Sequence, residues 1–151
     1  MSIGEAIMTH SFWQLYIHAV WCTKNRSNIL HGRLEIVAHD AIRSAICDLG
    51  MVPICVNSAW NHTHCLVSWN PSVSVEDALQ SFKDRAASKW ATIRSQEKHA
   101  VPKLIWQRGW GAFSVSPGKV EHAKSYIVNQ KSLHRSGDTI KRYESLKGEM
   151  N

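Results

Sequence analysis

Two short stretches of this chain hold residues whose types and spacing could do chemistry. His62-Thr63-His64 stands at the entrance of a β-branched run, and residues two apart in a strand point to the same side. Both imidazoles can therefore meet one divalent ion. Farther along, Tyr126 and Gln130 are four apart in a helical stretch, a spacing that stacks the phenol and the amide on one face. The phenol could act as a nucleophile and the amide oxygen as a hard third ligand. Each feature has an ordinary structural reading beside it. The histidines would merely cap a turn, and Tyr126 would be a helix aromatic packed on a sheet next to the stripe Val120, Ala123, Ile127 and Leu133.

The elements that must position these groups follow from periodicity. Phe12 to Cys22 alternates, with Trp13, Leu15, Ile17, Ala19 and Trp21 on one face and Gln14, Tyr16, His18 and Val20 on the other. Arg33 to Leu49 carries a helical apolar stripe that Gly50 stops. Met51 to Ala59 and Thr63 to Trp69 read as a hairpin around Trp60-Asn61-His62. Ser74 caps a second helix that runs on through Trp90, with Lys83, Arg85 and Lys89 on its exposed face. Residues 95–103 read as a loop, and Ile105 to Ser116 as a glycine-punctuated hairpin or bulged strand. A third helix spans Gly118 to about His134. This order spells an α+β fold, a ferredoxin-like or RRM-like antiparallel sheet with two helices on one face. The additional C-terminal helix would carry Tyr126.

Composition limits the function classes. With 44% hydrophobic and 20% charged residues, the 151-residue chain is a globular protein with room for one domain, 1–151. Its core is expected at about 12–135, with flexible ends. No run is long and apolar enough for a membrane helix, and Met1 to His10 lacks a signal-peptide pattern, so a cytoplasmic protein is expected. Cys22, Cys47, Cys55 and Cys65 contain no C-x-x-C pair and read as small buried hydrophobes. Zinc binding through Cys65 is disfavoured because that side chain points away from His64. Residues 1–80 carry four Lys/Arg against six Asp/Glu, while residues 81–151 carry fourteen against six, so a polyanion should bind the second half. Most of the seven tryptophans are expected to pack in the core; Trp106 and Trp110 beside Arg108 could instead stack bases.

Four blocks in order are more specific than any one of them: YIHAVWCTKNR at 16–26, NHTHCLVSWNPSVSVEDALQSFK at 61–83, WQRGWGAFSVSP at 106–117 and EHAKSYIVNQKSLHR at 121–135. Together they resemble the single-tyrosine HUH transposases. That family comprises the small transposases of single-stranded insertion sequences (families two hundred and six hundred and five) and the REP-associated tyrosine transposases. The resemblance implies that His62 and His64 are the histidine pair, Tyr126 the nucleophile and Gln130 the third ligand of Mg²⁺ or Mn²⁺. It also implies metal-dependent cleavage and rejoining of single-stranded DNA at hairpin-forming ends through a 5′-phosphotyrosine, by a homodimer. Thr63 departs from the large hydrophobe usual between the histidines, and Asn61 stands where an acid is common.

Around this centre, His18 is a candidate partner behind the metal or a satisfied buried histidine. Lys83, Arg85, Lys89, Arg108, Lys119, Lys124 and Lys131 are candidate DNA contacts, or solvated helix and loop residues. Two rival functions fit the same residues. One is a domesticated REP-associated enzyme that processes chromosomal palindromes. The other is a non-catalytic nucleic-acid-binding module of RRM-like fold, which the absence of a basic-aromatic RNP signature disfavours.

Overall fold

Alternation along β1 (Tyr16–Cys22) decides how the sheet is covered. Ile17, Ala19 and Trp21 enter the larger apolar cluster, while Tyr16, His18, Val20 and Cys22 face the other way. In the computed structural model, which describes residues 11–144, β1 is followed by α1 (Gly32–Asp48), β2 (Val52–Ser58), β3 (His62–Ser68) and α2 (Val75–Arg94). Then come β4 (Gly111–Val115), α3 (Val120–Val128), α4 (Gln130–Ser136) and a single-turn α5 (Lys141–Glu144). The four strands form one antiparallel sheet in the order β2-β3-β1-β4. That order, with α1 and α2 on one face, is the expected ferredoxin-like arrangement.

The covered face holds Leu34, Ala38, Ile42 and Ile46 of α1 and Leu79, Phe82, Ala86 and Trp90 of α2, packed on Ala19, Trp21, Cys65 and Val67 of the sheet. Fully burying a valine, leucine, isoleucine or phenylalanine side chain contributes about 1.5–3 kcal/mol. Local signals set the helix ends. Ser74 Oγ accepts a 3.1 Å hydrogen bond from the Asp77 amide, and Gly50, at φ +70°, takes the left-handed turn that closes α1. On the opposite face, Ala123, Tyr126 and Ile127 of α3 cover Cys55, Leu66 and Val115. Among the described residues no helix is long and apolar enough to cross a membrane.

Four expectations need correction. Residues 105–116 form no hairpin. Trp106 makes an isolated bridge to Thr23, and only Gly111–Val115 joins the sheet. The third helix is not continuous: Asn129, at φ −101° and ψ 17°, separates α3 from α4. Lys83 is not on an exposed face. It is buried, and its ammonium donates to the carbonyls of Gln107 at 2.8 Å and Gly109 at 3.3 Å, holding the loop before β4. Cys22, Cys55 and Cys65 are buried as expected, but Cys47 is exposed. The expectations for Met1 to His10, and for a flexible end past residue 144, fall outside the described residues.

Candidate active site

The histidine pair opens β3, where burial on both faces and pairing with β1 and β2 leave its side chains little freedom. Thr63, between them, points into the α1 side, so His62 and His64 share the α3 side, with ring centroids 5.0 Å apart. The Nδ1 atoms are engaged from behind. His62 Nδ1 lies 2.7 Å from Asn61 Oδ1, and His64 Nδ1 lies 2.7 Å from His18 Nε2. Such contacts fix ring orientation and leave each Nε2 turned toward the site. His18, on β1, is fully buried and lies against His64.

Tyr126, on α3, meets His64 edge-on at 6.0 Å between ring centroids. Its hydroxyl donates to Glu144 Oε1 at 2.5 Å and accepts from the Ile140 amide at 3.0 Å. Burial, and then the hydrogen bond to Glu144, push the phenol above its ordinary value, so it is held protonated. Gln130 follows at the start of α4. It is fully buried, its Nε2 donates to the Tyr126 carbonyl at 3.3 Å, and its Oε1 has no hydrogen-bond partner among the described residues.

Two members of the cluster carry no signal that the sequence reading used. His134, on α4, stacks edge-on to His62 at 4.8 Å, and it stands four residues after Gln130, the spacing that had joined Gln130 to Tyr126. Glu144, on α5, reaches in from beyond the expected core. Its Oε2 lies 2.8 Å from His62 Nε2 and 3.5 Å from His134 Nε2, and its Oε1 lies 3.4 Å from His64 Nε2. These are close approaches that lack the alignment of hydrogen bonds at the three Nε2 atoms. Burial alone would raise the Glu144 carboxyl, but His62 and His64 outweigh it and hold it below the usual carboxylate range.

The donor set fits a divalent ion. His62, His134 and Glu144 each offer a ligand atom within 4.8 Å of the others, and the buried Gln130 Oε1 and His64 Nε2 have no hydrogen-bond partner among the described residues.

The candidate DNA contacts do not converge. Arg85 pairs with Asp48, and Lys89 is exposed on α2, across the sheet from Tyr126. Arg108 is exposed in the loop before β4, and Lys119 is exposed just ahead of α3. Lys124 lies on α3 near Cys55. Lys131, on α4, pairs with Glu35, donates to the Ser58 carbonyl at 3.1 Å and sits 5.9 Å from the Trp60 ring centroid. Trp106 packs edge-on against Trp21 at 6.0 Å and donates to the Lys83 carbonyl at 2.9 Å, a core role; Trp110 is 38% exposed.

Residues 11–130 match the IS200-like transposase family, and the chain belongs to it. The protein is therefore a transposase, an enzyme that processes DNA. The ISDra2 transposase TnpA of Deinococcus radiodurans is 24% identical over 119 residues, covering 78% of this chain and 85% of that one. The fold also matches a protein assigned as a transposase from Deinococcus radiodurans R1, with a TM-score of 0.63 at 20% identity, over 81% of this chain and 95% of the other. A REP-associated tyrosine transposase bound to a REP hairpin has a TM-score of 0.55 at 16% identity, over 82% and 68% of the two chains.

Proposed function

We propose that this transposase nicks and rejoins single-stranded DNA at hairpin-forming ends through a 5′-phosphotyrosine on Tyr126, using Mg²⁺ or Mn²⁺ held by His62, His64 and Gln130. The observation that carries the reading is the convergence of the Tyr126 hydroxyl and the Nε2 atoms of His62 and His64 on one carboxylate, Glu144. A nucleophile and a metal-competent pair thus share one small space. The bound ion would polarise the scissile phosphate. Tyr126 Oη attacks phosphorus, the bond from phosphorus to the 3′ oxygen breaks, and the chain retains the 5′ phosphate as a tyrosine ester. The phenol proton faces Glu144 Oε1, its nearest acceptor.

Because the ester conserves the phosphodiester bond energy, a 3′-OH from another end can attack it, regenerate Tyr126 and join the strands. A hairpin substrate is supported by the fold neighbour bound to a REP hairpin. A homodimer acting in the cytoplasm completes the proposal, with β4, an edge strand of the sheet among the described residues, available to extend it.

The test is incubation of the full chain with single-stranded oligonucleotides from its flanking DNA and Mg²⁺ or Mn²⁺, followed by denaturing electrophoresis. A covalent band is expected from the native chain and none from Tyr126→Phe, with oligonucleotide affinity unchanged within about twofold. An adduct that survives in Tyr126→Phe overturns the assignment.

A further inference from the structure

Strand and helix spacing point to two histidines and an amide, yet three imidazoles and a carboxylate meet at the site. His134 and Glu144 arrive on separate elements, α4 and α5, and both turn toward His62. The spacing is informative. An ion bound at about 2.1 Å holds neighbouring ligands roughly 3 Å apart. Glu144 Oε2 stands 2.8 Å from His62 Nε2 and 3.5 Å from His134 Nε2, close to that separation. Yet neither Nε2 is aligned as a hydrogen-bond donor to the oxygen it approaches, as expected of groups that face a common centre.

We propose that His134 and Glu144 are additional ligands of the same ion, so that in the DNA-free protein the divalent ion held at the histidine pair is also met by His134 and Glu144. This rests on the reading that the histidine pair binds metal, and it adds ligands that the family resemblance does not supply. Two imidazoles and one carboxylate form a set for first-row transition dications, whereas Mg²⁺ prefers an all-oxygen shell rich in water. The site therefore selects Mn²⁺ over Mg²⁺. The carboxylate has a second role: while Oε2 faces the ion, Oε1 holds the Tyr126 hydroxyl, tying the nucleophile to the metal centre.

The test reads metal binding directly. Mn²⁺ is titrated into the full chain without DNA, and free Mn²⁺ is followed by its electron paramagnetic resonance signal. Glu144→Gln and His134→Asn are each expected to raise the Kd about tenfold or more. Glu144→Asp should recover part of the loss, and Glu121→Gln, an exposed carboxylate on α3, should change nothing. Mg²⁺ should displace Mn²⁺ only at large excess. Thermal unfolding of every variant in EDTA reads folding separately, and Glu144→Asp keeps the test alive if Glu144→Gln does not fold.

Affinities of Glu144→Gln and His134→Asn within twofold of the native chain overturn the proposal, as does an equal loss in Glu121→Gln. If His62→Ala abolishes Mn²⁺ binding in that case, the histidine-pair reading stands without Glu144. Mn²⁺ affinity unchanged in His62→Ala overturns both.

Discussion

Thr63 points away from the two histidines it separates, and its hydroxyl is where α1 reaches the strand that carries them. Thr63 Oγ1 lies 2.9 Å from Ser58 Oγ, which lies 2.7 Å from His39 Nε2. A polar chain therefore occupies the place where the resemblance leads one to expect a large hydrophobe, and Thr63 is still buried. Burial, and then Arg43 and Lys131, lower His39 to about 4, against the pull of Asp40; Glu35, on the same helix, lies 3.9 Å away. The folded state therefore keeps His39 neutral while the unfolded chain protonates near 6.5. Its contribution to stability is complete above 6.5 and is lost as pH falls from there toward 4, because the unfolded state binds more protons in that window. Between pH 7 and 5 this should cost about 2 kcal/mol. Urea unfolding of the native chain and of His39→Gln at both pH values checks it: the native midpoint should drop more on acidification, and equal drops would refute the role of His39. The β-branch of Thr63 and the shared direction of the histidines were legible in the sequence, because strand alternation is strictly local. His39 and Ser58 were not, since nothing in their spacing says that α1 and β2 meet at Thr63.

Where α3 stops decides where Tyr126 stands. Asn57, on β2, donates through Nδ2 to the carbonyls of Ile127 at 2.9 Å and Val128 at 3.1 Å, satisfying groups that the helix end leaves open. Asn57→Ala should lose about 1–2 kcal/mol of stability. Asn57→Asp should lose more, because it removes the donor and sets a negative charge against the negative end of the helix. Chemical denaturation of the two variants at pH 7 measures the order, and an Asp variant as stable as the Ala variant would refute the capping role. The sequence reads as one helix from Gly118 to about His134 because no proline or glycine interrupts it after Gly118. The break at Asn129 accompanies a bond from a strand far away in the chain, which local periodicity cannot register. The same limit hid Glu144. Gly137, at φ +79°, ends α4, and the chain then turns back through Ile140, so no helical spacing links Glu144 to Tyr126. The glycines near β4 suggest a hairpin that does not form. The segment before that strand is held by Lys83 and the Trp106 bridge and needs no hairpin partner.

Charge along the chain and charge across the molecule are different quantities. Fourteen of the eighteen Lys/Arg lie in residues 81–151, but the fold distributes the described part of that half over both faces of the sheet. Arg85 and Lys89 ride on α2, behind the core from the histidines, and Arg85 is already paired with Asp48. Lys119 and Lys124 lie before and on α3, the helix that bears Tyr126. A strand whose phosphate reaches Tyr126 must approach on the α3 face, so only cations on that face can follow it into the site. Each phosphate neutralised on single-stranded DNA contributes about 0.7 to the slope of log affinity against log salt. The double variant Lys119→Gln/Lys124→Gln should therefore lower the slope by up to about 1.4, if each lysine meets one phosphate. Arg85→Gln/Lys89→Gln should leave it unchanged. Fluorescence anisotropy with a labelled single strand from 50 to about 200 mM salt separates the two. A slope that falls with the α2 pair and not with the α3 pair would place the DNA on the opposite face and detach the nucleic-acid path from the histidine–tyrosine site.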